Sequence, residues 1–217
     1  VKDTIVADFV DEELMLKYAQ QYNVVGVVTD QTDLPVRTVA YVSEKMGLPG
    51  IGYETACLFT DKFKMREKCR ELGIDTLEYK VVSTLDEARE FLLNLSKPII
   101  IKPINNQGSK GVCKVTSIKE LETQYQKATN YSRGEKLLLE EFVSGEEELV
   151  IEGVALDGWR ENLICGDTCY FNLPDVFSAK QRIFPSMKSP EIVGKALALN
   201  KRIIDGFSLS RGLTHGE

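Results

Sequence analysis

The spacing of apolar positions changes along the chain, and each change marks an element. From Asp11 to Gln21 the apolar residues recur at helical intervals behind an acidic start, which predicts an amphipathic helix. Val24–Thr29 (V-V-G-V-V-T) is a short unbroken apolar run and predicts a buried strand. Pro35 suits the first turn of a helix running through Met46, stopped by Gly47 and Pro49. Strands alternating with helices predict βαβ crossovers and a parallel sheet in this first segment, which ends near Leu58.

A second helix-and-strand series follows. Thr60 is placed to cap a helix that ends at Gly73, a residue suited to the left-handed stop. Glu78–Val82 reads as a strand. Thr84-Leu-Asp-Glu87 and Ser117-Ile-Lys-Glu120 are capping boxes opening helices to about Leu95 and Asn130. Between those helices, Pro98–Lys102 and Val112–Thr116 are strands around a glycine loop, and Lys136–Glu141 is the next strand. Leu149–Leu156, a turn at Asp157-Gly158 and strand-like residues to Leu173 come next. A loop holding Pro174, Pro185 and Pro190 then leads to a last helix, Glu191 to about Asp205, capped by Ser189.

Composition narrows the class without naming a function. The 217 residues are 43% hydrophobic and 28% charged, an ordinary globular balance, and allow one or two domains. A net charge of −6 argues against sequence-independent nucleic-acid binding, which needs a basic surface to displace counterions. No apolar run reaches the roughly 18 residues of a membrane span, and the start lacks a basic–apolar signal segment. Five cysteines (Cys57, Cys69, Cys113, Cys165, Cys169) form no CxxC pair, and His215 is the single histidine, so a zinc site is not indicated. These features point to a reduced, cytoplasmic location. The opening at Val1 and the close on Gly212-Leu-Thr-His-Gly-Glu217 read as a piece of a longer protein.

Two stretches could carry chemistry. In Lys97–Val115 (K-P-I-I-I-K-P-I-N-N-Q-G-S-K-G-V-C-K-V), Lys102 closes an apolar run, where an unpaired buried ammonium would be costly. It either faces a polar cleft, offering a point charge to a phosphate, or snorkels to the sheet edge. In the following loop, Gly108 and Gly111 permit positive φ, so that backbone N–H groups could form an anion nest, with Ser109 adding a hydroxyl and Lys110 a charge. The loop is neither a Walker A nor a G-x-G-x-x-G sequence, and on its own it fits a hairpin turn equally well. In Lys136–Gly153, Glu141 and Val143 at a strand end could offer main-chain groups to a purine edge, with Phe142 or Leu139 as an apolar wall. Read alone, that stretch is an amphipathic strand with a solvated acidic end. Of Glu146-Glu147-Glu148, one carboxylate could accept from both ribose hydroxyls, and Glu152 lies on the same strand face as Glu148.

Taken in order, these residues resemble the ATP-grasp superfamily. The resemblance rests on Asp61-Lys62…Met65-Arg66, the Gly73-Ile74 boundary, Pro98-Ile-Ile-Ile-Lys102-Pro103, Gly108-Ser-Lys-Gly-Val112, Glu140-Glu-Phe-Val143 and Gly145 with its glutamates. It implies an α/β chain: a Rossmann-like segment (residues 1–58) ahead of an α+β ATP-grasp domain (residues 59–217) whose lid covers about 78–139. Gly50-Ile-Gly-Tyr-Glu-Thr resembles the exit from that first segment. It further implies that Lys62 and Lys102 contact phosphates and that Gly108–Gly111 close over them. By the same resemblance Glu140 meets the adenine amino group, Glu141 and Val143 bind its edge beside Phe142, and Glu148 (or Glu147) holds the ribose.

The family makes an acyl phosphate from a carboxylate and ATP with Mg²⁺, for attack by an amine or other nucleophile. Its metal ligands, an acidic residue and then Glu-x-Asn, have no counterpart after Leu173 beyond Glu217, so they are expected past the chain's end. A carboxylate–amine ligase resembling the phosphoribosylglycinamide synthetases is the leading reading. Bicarbonate activation of the biotin-carboxylase or carbamoyl-phosphate kind is the runner-up, and a non-catalytic nucleotide-binding module is the reading from another class. Arg182 and Phe171–Met187 are candidates to line the acceptor pocket. Small molecules are the expected partners, without nucleic acid or membrane, and a homodimer is the default assembly.

Overall fold

The computed structural model of the protein describes residues 3–29, 32–74, 77–104, 108–132, 134, 136–145, 147–171, 173 and 176–217. Parts of the predicted motifs, Asn105–Gln107, Glu146 and Pro174, lie outside the described residues. The chain opens with helices α1 (Glu12–Gln21), α2 (Val36–Lys45), α3 (Tyr53–Thr60) and α4 (Lys62–Glu71). Two antiparallel four-stranded sheets follow. The first contains β1 (Tyr79–Val82), β2 (Ile99–Pro103), β3 (Cys113–Val115) and β4 (Leu137–Glu141) in the order β1-β4-β2-β3. The second contains β5 (Glu148–Leu156), β6 (Trp159–Tyr170), β7 (Ala179–Ile183) and β8 (Arg211–Gly216) in the order β7-β6-β5-β8. Helices α5 (Leu85–Leu95) and α6 (Ile118–Asn130) belong with the first sheet, and α7 (Pro190–Gly206) with the second.

Local rules set most of these boundaries. Asp11 caps α1 by accepting from Leu14 N–H, and Ser189 caps α7 by accepting from Ile192 N–H. Both halves of the Thr84–Glu87 capping box are made. At α6 only the glutamate half is present: Ser117 makes no side-chain cap bond, while Glu120 accepts from the Thr116 N–H and hydroxyl. Thr60 is not the cap of α4, as its sequence position suggested. It ends α3, its hydroxyl bonded to Ala56 O, and Asp61 caps α4 by accepting from the N–H groups of Phe63 and Lys64. An ionised carboxylate serves a helix N-terminus better than a hydroxyl already committed one turn back.

The expected strand at Val24–Thr29 is not formed. Val24 N–H closes the end of α1 on Ala19 O, and Val25 and Val28 are 89% and 91% exposed. A strand requires a neighbour for its backbone groups, and among the described residues none pairs with this one. The βαβ crossover and parallel sheet predicted there are likewise absent from the described residues, where every ladder is antiparallel. Strand β7 and helix α3 went unpredicted. Ala179–Ile183 is polar and set among prolines, and as an edge strand it needs little apolar face.

The two faces of the first sheet have different tasks. Ile99, Ile101, Leu137, Leu139, Cys113 and Val115 point into a core closed by α5 and α6 through Ala88, Phe91, Leu121 and Ala128. Alternation turns Ile100, Lys102, Leu138 and Glu140 to the opposite face. Helix α4 covers part of that second face: the Phe63 ring meets Tyr79 edge-on at 6.4 Å, and the Arg70 guanidinium lies 4.2 Å from the Tyr79 ring centroid. On the second sheet a smaller core joins Ala155, Ile204 and Leu209 to Ile51 and Phe59. The Phe59 and Phe207 rings meet at 5.2 Å, so α3 and α4 form the joint between the sheets.

Candidate nucleotide site

Lys62 and Lys102 come from different elements to one place. Lys62 opens α4, and its N–H donates to Ile104 O just past the end of β2, at 3.3 Å. Lys102 stands at that strand end on the face opposite the core. Its Cα partner on β4 is Leu138, so Glu140 is the diagonal neighbour on the same face. Lys102 Nζ is paired with Glu140 Oε2, and Arg66 Nε donates to Glu140 Oε1 at 2.6 Å. The Glu140 side chain is only 6% exposed.

The charges tune one another. Burial lowers the pKa of the Lys62 ammonium, and the neighbouring Lys102 charge lowers it further; Asp33, Glu140 and Asp61 oppose both effects. Burial acts to raise the Glu140 carboxyl. The Lys102 charge and the Arg66 hydrogen bond outweigh it, and the net direction is down. The result is a half-buried charge cluster in which Lys62, Lys102 and Arg66 stand among Glu140, Asp61 and Asp33.

The glycine loop beside this group is held by left-handed residues: Gly108, Ser109 and Gly111 have φ of 64°, 55° and 77°. The two glycines differ in surroundings. A Cβ on Gly108 would meet nothing within 4 Å, whereas one on Gly111 would lie 2.7 Å from Tyr131 Cβ and 3.0 Å from Pro103 Cγ. Gly111 therefore packs the loop's base onto Pro103 of β2 and Tyr131 at the end of α6, and Gly108 meets no such neighbour among the described residues. The Ser109 hydroxyl, read from sequence as a phosphate donor, donates here to Phe177 O at 3.0 Å, tying the loop to the segment before β7.

At the end of β4, Glu141 N–H donates to Glu78 O and Phe142 N–H to Pro98 O. The Glu141 carboxylate accepts from Lys97 Nζ at 2.5 Å, so Glu140 and Glu141 serve opposite sides of the strand. Lys114 Nζ lies 3.8 Å from the Phe142 ring centroid. Val143, 62% exposed, follows the strand and takes part in no ladder pairing among the described residues.

The second sheet gathers the remaining candidates on one face. Glu148, half-buried at the start of β5, accepts from the Tyr170 hydroxyl at 2.5 Å; burial, then the Glu217 charge, raise its carboxyl, while Tyr170, Arg182 and His215 pull it down, for a net upward shift. Glu147 instead points outward to Lys188. Glu152 lies on the Glu148 face, as the two-residue period predicted, 2.8 Å from His215 Nδ1. Glu217 is paired with Arg182 and lies 3.1 Å from His215 Nε2. Among the described residues no group of three His, Cys, Asp or Glu side chains could hold a metal ion, and Glu217 is already paired with Arg182 and lies beside His215. The described residues do not fit a magnesium centre.

The structure brings together Lys62, Lys102 and Glu140, and adds Arg66, to which the sequence gave no role. Its signal was the four-residue step from Lys62, which puts both on one face of α4. Arg37 was also missed: its Nε donates to Thr60 Oγ1 at 2.6 Å, and its Nη2 stands 3.8 Å from Asp61, beside Lys62. Nothing in the sequence links α2 to that position.

Comparison with known proteins agrees with this architecture. Residues 60–160 match the family described as phosphoribosylglycinamide synthetase, ATP-grasp (A) domain. The alanine–anticapsin ligase of Bacillus subtilis (strain 168) is 26% identical over 227 aligned residues, covering 94% of this chain and 47% of that enzyme. The L-amino acid ligase of Bacillus licheniformis superposes with a TM-score of 0.79 at 24% identity, over 94% of this chain and 48% of its own. The ADP complex of N5-carboxyaminoimidazole ribonucleotide synthetase superposes with a TM-score of 0.78 at 20% identity, over 96% and 53%. The chain spans about half the length of the curated relatives it matches. The match over residues 60–160 is to an ATP-grasp domain family, and the chain as a whole shares the fold of these ligases.

Proposed function

We propose that this chain is the ATP-binding part of a ligase that activates a carboxylate as an acyl phosphate for attack by an amine or another nucleophile. The observation that carries the reading is the convergence of Lys62 and Lys102 beside a positive-φ glycine loop, at one end of a sheet whose next strand ends in an open hinge. Lys62, Lys102, Lys110 and the Gly108–Gly111 backbone neutralise and place the phosphates, with Ser109 exchanging Phe177 O for a phosphate oxygen. The Glu141 carbonyl and Val143 N–H take the adenine edge beside Phe142, and Glu148 the ribose hydroxyls. Residues 59–217 make up the ATP-grasp part, with 78–139 as its lid, and residues 1–58 precede it. Phosphoryl transfer needs little covalent help from protein, so positioning and charge neutralisation are what these residues supply.

Amino-acid-like carboxylate and amine substrates fit the ligases to which the chain is similar, and bicarbonate activation is the second reading, favoured by similarity to carbamoyl phosphate synthase large chains of Thermoanaerobacter species. A cytoplasmic homodimer without nucleic-acid or membrane partners is consistent with the net charge of −6 and with cysteines that are all free. No helix among the described residues is long and apolar enough to cross a membrane. The test is ADP formation by the full-length gene product across a panel of carboxylates and amines. ADP release that requires one carboxylate and one amine together supports the ligase. Release with bicarbonate alone supports the second reading, and ATP binding with no release under any pair supports a non-catalytic module.

A further inference from the structure

Lys114 is a half-buried lysine of β3 with no carboxylate in ion-pair distance among the described residues. Its neighbours Cys113 and Val115 are fully buried in the core of the first sheet. Alternation therefore turns Lys114 to the opposite face, the one that carries Ile100, Lys102 and Glu140. β3 is an edge strand, and β2 separates it from β4. The Cα partner of Lys114 on β2 is Ile100, while on the far side of β2 the Phe142 N–H donates to Pro98 O at 2.9 Å. The lysine stem crosses β2 to reach the hinge, where Nζ lies 3.8 Å from the Phe142 ring centroid. Among the described residues this is the one ionic, hydrogen-bonding or ring contact that the Lys114 side chain makes.

An ammonium over an aromatic face is held by the ring's quadrupole, and more firmly as water is excluded. Phe142 is thus fixed twice, its backbone by Pro98 and its ring by Lys114. It stands between Glu141 and Val143, the two residues assigned to the adenine edge. We propose that Lys114 is a positioning residue for the base half of the site: it pins the Phe142 ring, so that a purine meets a wall already in place. A ring ordered beforehand spares the loss of rotamer freedom on binding. The assignment rests on the reading of the β4 hinge as a purine site. It gives Lys114 no phosphate to hold, because its register on β2 is two residues from Lys102, on the side of the hinge.

The experiment is calorimetric titration of ATP, adenosine and inorganic tripolyphosphate into the wild-type chain, Lys114→Met, Lys114→Arg, Phe142→Leu and Lys114→Met/Phe142→Leu. Lys97→Met is the charge control, since Lys97 pairs with Glu141 and is 58% exposed. Lys114→Met is expected to weaken adenosine and ATP alike by about two- to fivefold, the size of one cation–ring contact, and to leave tripolyphosphate as in wild type. Lys114→Arg keeps the cation and restores the affinity, and Lys97→Met changes none of the three ligands. In the Phe142→Leu background Lys114→Met has no further effect, because the ring through which it acts is gone. A loss of tripolyphosphate affinity equal to that of ATP makes Lys114 a phosphate cation and overturns the proposal. Unchanged adenosine affinity overturns it as well, as does an equal loss in Lys97→Met or an undiminished loss without the ring. A purely structural role would shift the unfolding curve and leave the ratio of adenosine to tripolyphosphate affinity where it was, which also overturns it. If Lys114→Met does not fold, judged by circular dichroism, Lys114→Gln carries the test through the same readouts. A wild-type chain that binds tripolyphosphate but not adenosine overturns the purine reading of the hinge itself, a failure distinct from any shown by the variants.

Discussion

Replacing Lys102 with methionine removes the charge that balances a buried carboxylate while keeping most of the aliphatic stem. Glu140 is then left with Arg66 as its partner in a position 6% exposed. Breaking a buried pair outright costs several kcal/mol, but Arg66 remains, so the loss is that of one hydrogen bond between charged groups, about 1.5–3 kcal/mol. For a chain of this size that lowers Tm by roughly 3–12 °C. The pH dependence has a definite sign. In the wild type the Glu140 pKa is depressed, so its contribution is present above the unfolded carboxylate value of about 4.3 and is lost as pH falls through the lower folded value. Without Lys102 one of the two cations opposing burial is gone, and the folded pKa rises above its wild-type position. The variant's deficit is therefore largest at neutral pH and shrinks as pH falls toward about 4, where the carboxyl takes up a proton. Thermal unfolding of wild type, Lys102→Met and Lys102→Met/Glu140→Gln at several pH values measures this. The double variant should recover part of the loss at neutral pH, because glutamine carries no charge to strand. A Lys102→Met protein as stable as wild type at neutral pH, or one whose deficit grows on acidification, refutes the reasoning.

The two loop glycines should separate in a denaturant series. Gly108→Ala bears only the positive-φ penalty, about 1–2 kcal/mol, whereas Gly111→Ala adds a clash with Tyr131 and Pro103 and costs roughly 2–5 kcal/mol. Equal losses would contradict the packing role of Gly111. Asp61→Ala removes the cap of α4 and is expected to lower stability in urea by about 1 kcal/mol, with Lys62 less firmly placed and ATP affinity reduced. A neutral result would mean that the α4 terminus is fixed by its Ile104 hydrogen bond instead.

Where local chemistry settles an element, the sequence was legible. The Thr84–Glu87 box, the Ser189 cap of the last helix and the pair of strands around the glycine loop each specify one outcome, and the structure has it. Where an outcome depends on a distant partner, it was not. Val24–Thr29 has the composition of a buried strand and remains exposed for want of a neighbouring ladder among the described residues, and β7 forms from polar residues because β6 supplies one. The same division runs through the site. Lys102 and the loop glycines announce themselves by type and position. The employment of Glu140 does not, because it depends on Arg66 arriving from a helix 74 positions away. Glu148 meets the Tyr170 hydroxyl while Glu147 pairs with Lys188, a difference that the run of three glutamates does not announce.

The claim on which the rest depends is that Lys62 and Lys102 grip a nucleotide's phosphates. Titrating ATP into the wild-type chain, Lys62→Met and Lys102→Met, with unfolding curves to establish that each is folded, tests it directly. The account predicts saturable ATP binding by wild type and a loss of about tenfold or more in each variant, with adenosine affinity unchanged. Folded variants that bind ATP as tightly as wild type would contradict it.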